Sequence, residues 1–577
     1  MEPAIIIDDL TFTYLHSDEP VLKNINITIP KNKVTALVGP VGAGKSTLIL
    51  TMNRIIPSYI PGRLSGKVRV LSEDISKHEI EELAEKINLL FDDPVLQVVG
   101  LTVEEDVAFG PANLGLPREE IWERVNHALK QLRLSGYEKR NPRTLSGGEM
   151  QLLAMASTFA MQPQILVMDE PVAMLDPVGK SMVFQALQDL IRTRGLTTVV
   201  TDSGADMEAV CEIADHMILM DQGEIVDQGP PQVLLAKRDL VEKTTLRVPQ
   251  VTRTFWQLKS GENKVPVRLD QALSSLESIP KVRVESTTLP PSPQPPPKQG
   301  REIVNASNIH HVYPSVPPVH ALRGVDLKVN RGEMVALLGQ NGSGKTTLAL
   351  HLVGILKPTN EDASIRVAGL DVIEAKTRET IQHINYVFQN PYNQLFNQTF
   401  GAEVEYGPKQ LGLSEEEVDA RVVAALESVG LLKWRKYYQA ALTRSEATLL
   451  GLASVLSLEP DVIIADEPTK GLDEPAARKV IQVLQERCDS DKAVIIITHD
   501  MELAARYASR ILVMSEGKII ADGSPRSIFS NTEVLEKSYL SPPQITRLAM
   551  GLGIKEQDAL PLTMDEFFTV FEFAGSS

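Results

Sequence analysis

The sequence predicts an α/β fold used twice: two phosphate-loop domains in tandem, each built on a mainly parallel sheet flanked by helices. Three observations predict it. Short apolar runs of buried-strand length recur, VTALV, ILVM and TTVV early in the chain and MVALL, VIIA and VIIIT late. Longer segments between them, such as EEEVDARVVAALESVG, carry apolar residues at helical spacing. Finally, a GxxxxGK[ST] loop stands between a strand and a helix in each half, GPVGAGKST from Gly39 and GQNGSGKTT from Gly339.

The chain has 577 residues, several times the roughly 100–200 of one domain. With 43% apolar and 23% charged residues it has globular composition, which excludes general disorder and a fibrous chain. A net charge of −17 argues against a partner that is mostly phosphate backbone, although local loops still bind nucleotides. Cys211 and Cys488 are too few for a disulfide framework or an iron–sulfur cluster, and read as buried thiols in a reducing cytosol. MEPAIIIDDL has no basic region and no long apolar run, so no signal peptide is expected. The uncharged stretch Met150 to Met168 is expected to split into a helix and a strand rather than span a bilayer.

The halves are homologous. Gly39 answers Gly339, Asp169 answers Asp466 and Pro249 answers Pro543, so the offset drifts from 300 to 297 to 294 residues. Between them LPPSPQPPPKQG is too proline-rich to pack and reads as an extended tether. The expected organisation is a first domain with a C-terminal extension over 1–285, a tether over 286–301 and a second such domain over 302–577.

In each phosphate loop the glycines, Gly39, Gly42 and Gly44 or Gly339, Gly342 and Gly344, let backbone N–H groups close on phosphates at a helix N-terminus. Lys45 and Lys345 would reach the β- and γ-phosphates of ATP, and Ser46 and Thr346 would hold Mg2+. Asn341, Thr47 and Thr347 complete the loop sets. An apolar strand ending in Asp-Glu follows in each half, Asp169–Glu170 and Asp466–Glu467. Alone such a pair is an ordinary solvated loop; beside a phosphate loop the first carboxylate suits Mg2+ and the second suits water activation. Ahead of the first pair, Ser146, Gly147, Gly148 and Glu149 of LSGGEMQ open a helix where an anion is favoured.

Phosphate loop, LSGGE and then an apolar strand with DEP is the order of motifs in the nucleotide-binding domains of ATP-binding-cassette (ABC) proteins, which both halves resemble. The resemblance implies a helical subdomain in each half, adenine stacking on Tyr14 and Tyr313, and head-to-tail pairing in which one half's signature completes the other half's site. FQNPYNQLFNQTF, VEYGPKQLGL and the PPQITR tail further resemble the ATPase components of energy-coupling-factor importers, in which two cassettes drive an integral membrane subunit and a small substrate-capturing membrane protein. That implies vitamin or metal-ion uptake and a peripheral place on the cytoplasmic membrane face. Cargo selectivity would lie in the membrane partner.

Set against the family's motifs, the halves differ. The second has Gln389 in FQNP, expected to link Mg2+ to the membrane contact, and His499 in IITHD, expected to contact the γ-phosphate and orient Glu467. The first has Asp92 for the glutamine, and VVTDSGADME has no histidine and three extra residues between Thr201 and Asp206. The signatures are unequal in the opposite sense: the first half keeps LSGGE, with Glu149 in place of the family's glutamine, but Arg444 and Ser445 stand in place of glycines in LTRSE of the second, where their side chains obstruct close approach to a phosphate. Head-to-tail pairing would therefore concentrate every defect in one composite site. Lys345, Thr346, Gln389, Asp466, Glu467 and His499 with LSGGE form the competent site; Lys45, Ser46, Asp92, Asp169 and Glu170 with LTRSE form the degenerate one. Glu170 keeps its carboxylate, so slow turnover there is compatible with this reading. Two alternatives are a tandem cassette of a sugar importer and a soluble tandem cassette acting on ribosomes or nucleic acid. The latter sits poorly with the −17 charge, the two cysteines and the proline tether.

Overall fold

The computed structural model describes residues 2–145, 147–172, 175, 177–244, 246–258, 263–276, 281–282, 289, 301–314, 318–439, 442–554 and 556–573. Most of the expected tether lies outside the described residues, and so does Ser146. The chain divides into two compact units, Met1–Ala272 and Leu273–Ser577.

Each unit holds one six-stranded and one four-stranded sheet. In the first the six-stranded order is Glu224–Gly229, His216–Asp221, Val34–Val38, Thr197–Asp202, Ile165–Met168 and Ile87–Leu90, parallel except at the first pair. In the second it runs in the same spatial order through Lys518–Gly523, Arg510–Ser515, Met334–Gly339, Ala493–Ile497, Val462–Asp466 and Ile384–Val387. The strands Val34–Val38, Ile165–Met168, Val462–Asp466 and Ala493–Ile497 are buried at every position, as expected of parallel strands covered on both faces. Such a sheet opens its ligand crevice at the carboxyl ends of its strands. There it brings the phosphate loop near the strand carrying the Asp-Glu pair, two places away in the sheet with one strand between them.

A three-helix subdomain follows in each unit: Val103–Asn113, Arg118–Gln131 and Gly147–Ala160, then Phe400–Gln410, Glu415–Ser428 and Arg444–Leu456. Capping boxes fix several starts, Thr102 with Glu105, Ser414 with Glu417 and Thr443 with Glu446. Apolar stripes close each subdomain's core; Val107 and Leu153 in the first and Val404 and Leu450 in the second are fully buried, each contributing about 1.5–3 kcal/mol. The uncharged stretch does split, into the helix ending at Ala160 and the strand Ile165–Met168. No helix among the described residues is long and apolar enough to cross a membrane. Both cysteines are buried, which pushes their thiols up, Cys488 to about 12.

The repeated tails are matched packing elements. Thr252 on helix Gln250–Leu258 donates to Pro266 O at 2.7 Å, and Thr546 on helix Gln544–Gly551 donates to Pro561 O at 2.8 Å. All four of Val251, Thr252, Ile545 and Thr546 are buried, so the shared motif is spent on its own core. Within the second unit, Lys281–Val282 pairs antiparallel with Phe571–Glu572.

Candidate functional site

In the second unit three adjacent strands end at one place. Met334–Gly339 leads into the phosphate loop, where Gly342 and Gly344 take φ of 75° and 102° and a Cβ on Gly342 would meet nothing within 4 Å. Helix Lys345–Leu352 starts directly after, so its unpaired N–H groups face the loop. Lys345 Nζ donates to Gly339 O and Gln340 O, both at 2.7 Å, which folds the buried ammonium over the loop. Tyr313 lies 3.2 Å, OH to Oγ1, from Thr347, so the tyrosine expected at adenine is tied to the phosphate-loop helix.

Asp466 and Glu467 end the strand two places away. Asp466 Oδ2 accepts from Thr346 Oγ1 at 3.0 Å and from the Tyr386 hydroxyl at 2.5 Å. Burial raises the Asp466 carboxyl, while these two hydrogen bonds and Lys345 pull it down. Glu467 is held at φ 47°, in the left-handed region costly for a side chain, by its N–H on Ile497 O at 2.8 Å. Burial pushes its carboxyl up to about 7; Lys470 and Lys345 oppose the shift and Asp466 adds to it. A carboxyl poised near neutrality is what a general base needs. His499 Nε2 stands 3.5 Å from Glu467 Oε1 and 3.2 Å from Asn341 Oδ1, so it links the Asp-Glu strand to the phosphate loop. Gln389 is exposed on the loop after Ile384–Val387, and Arg444 Nη2 donates to its carbonyl at 3.2 Å.

The first unit repeats the scaffold with other side chains. Lys45 Nζ donates to Gly39 O at 2.7 Å and Pro40 O at 2.9 Å, Gly42 and Gly44 take φ of 83° and 98°, and Tyr14 meets Thr47 at 2.9 Å. Glu170 keeps the left-handed backbone, φ 42°, but its N–H donates to Thr201 Oγ1 at 3.0 Å instead of to a carbonyl. Asp169 takes its hydrogen bonds from Thr201 and Ser46, and burial raises its carboxyl; Leu89 stands where Tyr386 stands in the second unit.

Sheet register corrects the equivalence expected at the missing histidine. Leu37 pairs with Thr201 and Leu337 with Ile497, so Thr201 matches Ile497, Asp202 matches Thr498, and Ser203 follows where His499 follows. Ser203 hydrogen-bonds Glu170 in that position. Asp202 is buried, and its carboxyl is pushed up to about 7 by burial and by Asp206 and Glu170. Lys180 pairs with Asp206.

Gly147 and Gly148 open the helix Gly147–Ala160, and Glu149 accepts from the Tyr137 hydroxyl. A Cβ on Gly147 would meet nothing within 4 Å, so that surface is open to a close ligand. The residues fit the groups expected of them. Thr346 and Asp466 offer adjacent hard oxygens of the kind Mg2+ takes, and Glu467 Oε1 is a buried oxygen that finds no hydrogen-bond donor among the described residues. Sequence reasoning missed Tyr386, Lys470 and Ser203, none of which carries a motif.

Two glycine-rich phosphate loops beside buried Asp-Glu strand ends define a phosphate-loop ATPase. Residues 22–173 and 322–470 match the ABC transporter family. A protein of Methanosarcina acetivorans, provisionally named an ABC transporter ATP-binding protein, is 37% identical over 561 residues, 95% of this chain and 90% of its own. One from Caldanaerobacter subterraneus subsp. tengcongensis with the same provisional name is 37% identical over 558 residues, 96% of this chain and 97% of its own. The solved structure of cbiO1 from Clostridium perfringens, described as part of the ABC transporter complex cbiONQ, is 32% identical and covers 43% of this chain and 99% of its own, with a TM-score of 0.38. The chain belongs to the ABC transporter family, as an ATP-binding protein with two ATPase domains.

Proposed function

We propose that this chain is the ATP-hydrolysing subunit of an energy-coupling-factor importer for a vitamin or a metal ion, with one competent and one degenerate composite site. The observation that carries the asymmetry is the pair of strand ends. Glu467 lies beside His499 and Lys470 in the second unit, whereas Glu170 lies beside Ser203, Asp202 and Asp206 in the first. The extra carboxylates disfavour negative charge where the γ-phosphate would sit.

In the competent site Lys345 and the phosphate-loop N–H groups hold the β- and γ-phosphates, Thr346, Asp466 and Gln389 hold Mg2+, and Tyr313 stacks on adenine. When bound, Mg2+ offsets charge developing on the phosphoryl oxygens. Glu467 takes a proton from the attacking water, and His499 keeps Glu467 oriented against the phosphate loop. Head-to-tail pairing within one chain would bring Ser146, Gly147, Gly148 and Glu149 to the same γ-phosphate. The exposed apolar residues Val95, Leu96 and Leu101 in the first unit and Tyr392 and Phe396 in the second cluster in sequence just after the Asp92 and Gln389 positions, which suits docking on an integral membrane subunit at the cytoplasmic face.

A tagged Glu467→Gln chain purified from detergent-solubilised native membranes with ATP tests the reading. Recovery of a polytopic membrane subunit with a small hydrophobic companion supports it, and the companion points to the cargo. Recovery of ribosomal proteins or nucleic acid overturns the importer role and leaves the ATPase.

A further inference from the structure

Arg444 replaces a signature glycine, and its side chain turns inward. Its Nε donates to Lys470 O at 3.0 Å and its Nη2 to Gln389 O at 3.2 Å. The guanidinium fills the space over Gly471, where a Cβ would come within 3.0 Å of Arg444 Nε. Ser445, in the other glycine's place, points to the same segment: its Oγ donates to Asp473 Oδ2 at 3.3 Å, and Asp473 caps helix Glu474–Asp489 by accepting from Ala476 N. Two more bonds tie the loop after Gln389 to the signature segment and its helix. Tyr392 donates to Leu442 O at 3.0 Å, and Gln394 Nε2 donates to Gly451 O at 2.8 Å.

The first unit makes none of these links among its described residues. Gly147, the counterpart of Arg444, has open space at its Cβ position; Val95 replaces Tyr392. Gln97, the counterpart of Gln394, accepts from Phe91 N at 2.9 Å as Gln394 does from Phe388 N at 3.4 Å, but its Nε2 turns back on its own strand, donating to Leu89 O at 2.9 Å. Among the described residues, side-chain links that tie the Gln389 loop and the Lys470–Asp473 loop to the start of the signature helix are found in the second unit alone.

We propose that Arg444, seconded by Ser445, is a positioning residue for hydrolysis in its own half: it fixes the Gln389 loop and the Lys470–Asp473 loop to one helix start, so that the two sides of the Glu467 site move as one body. The proposal rests on the reading that Glu467 carries turnover. The guanidinium suits the task because its planar fork reaches two carbonyls at once, which a lysine ammonium on a flexible stem does less well. The Lys470 loop matters because Lys470 supplies positive charge next to Glu467. On this view the loss of signature glycines in the second half is a gain for the site that half carries.

The test uses the full chain with Arg444 and Ser445 both returned to glycine, alongside Arg444→Lys and Glu467→Gln. Steady-state ATPase assays and hydrogen–deuterium exchange are read on each. In the double-glycine variant kcat falls about tenfold while KM for ATP stays within about twofold, since misplaced groups cost turnover more than binding. Exchange quickens over 389–394 and 469–473 and is unchanged over the first unit's equivalent loops. Arg444→Lys falls between the two. Exchange unchanged over both segments, or kcat equal to or above the parent once glycines are restored, overturns the proposal. If Glu467→Gln keeps its turnover, the underlying assignment of the competent site fails, and the exchange data still judge the brace on their own.

Discussion

The carboxylates Asp466 and Asp169 occupy the same register of the same strand in two units of one chain, yet they keep different company. Asp466 is held by Thr346 and a strand tyrosine, Tyr386, while Asp169 is held by Ser46 and by Thr201 from the neighbouring strand. One residue further, Glu467 meets His499 and Glu170 meets Ser203. The comparison teaches that the scaffold is shared by the two halves, down to the left-handed backbone of both glutamates. The difference is written in a few side chains at strand ends.

The largest expected effect tests that directly. Glu467→Gln lowers turnover by about 10²–10³-fold, because it removes a positioned base, and Glu170→Gln leaves it within about twofold. Equal losses in a steady-state ATPase assay would break the comparison. Next comes His499→Ala, which costs about tenfold or more in kcat, whereas Ser203→Ala in the first unit costs less than about twofold. A pH profile sharpens the same contrast. With the Glu467 carboxyl near 7 in the folded chain, kcat falls as pH drops below about 7 and the base takes up a proton. The sign for stability is opposite to that of a salt-bridged acid: a carboxyl raised by burial makes unfolding easier as pH rises through the ordinary glutamate range towards 7, and a thermal melt across that range detects it. Smaller still is Tyr386→Phe, which deprives Asp466 of a donor and weakens Mg2+-dependent activity by about 1 kcal/mol, or roughly fivefold in the Mg2+ needed for half-maximal rate. The smallest effect is the control in which the halves should agree: Thr252→Val and Thr546→Val each cost about 1 kcal/mol in a denaturant titration, since each removes one buried hydroxyl-to-carbonyl bond.

Much of this was legible in the chain. The duplication, the strand–helix alternation and the phosphate loops are local patterns with fixed spacing, and Lys345, Asp466, Glu467 and His499 fall together as the motifs imply. Tyr386 was not legible because a tyrosine inside a short apolar strand reads as core; only the neighbouring strand's register turns its hydroxyl into a ligand of Asp466. The one-residue error at Thr201 has a similar origin. A threonine-aspartate pair invites alignment with Thr498 and its successor, but strand pairing counts residues from the sheet, and the longer loop after Asp202 absorbs the surplus. From sequence alone Arg444 reads as an obstruction, because it stands at a signature position and the sequence gives no direction to its side chain; the carbonyls that receive it lie 55 and 26 residues away along the chain.

The matched φ angles of Glu467 and Glu170, 47° and 42°, have an evolutionary consequence. A left-handed glutamate is strained, and a strand end with no catalytic duty would have every reason to relax. Here the loop and the sheet hold it whatever chemistry follows, so the first unit stands ready-formed in its backbone. On the proposed asymmetry, turnover in the first unit asks for no refolding and no insertion of new elements, only side-chain changes such as a histidine at 203 and a glutamine at 92. A lineage carrying this chain sits a handful of substitutions from a two-stroke ancestor or descendant, and ancestral-sequence reconstruction across its relatives would show in which direction those steps were taken.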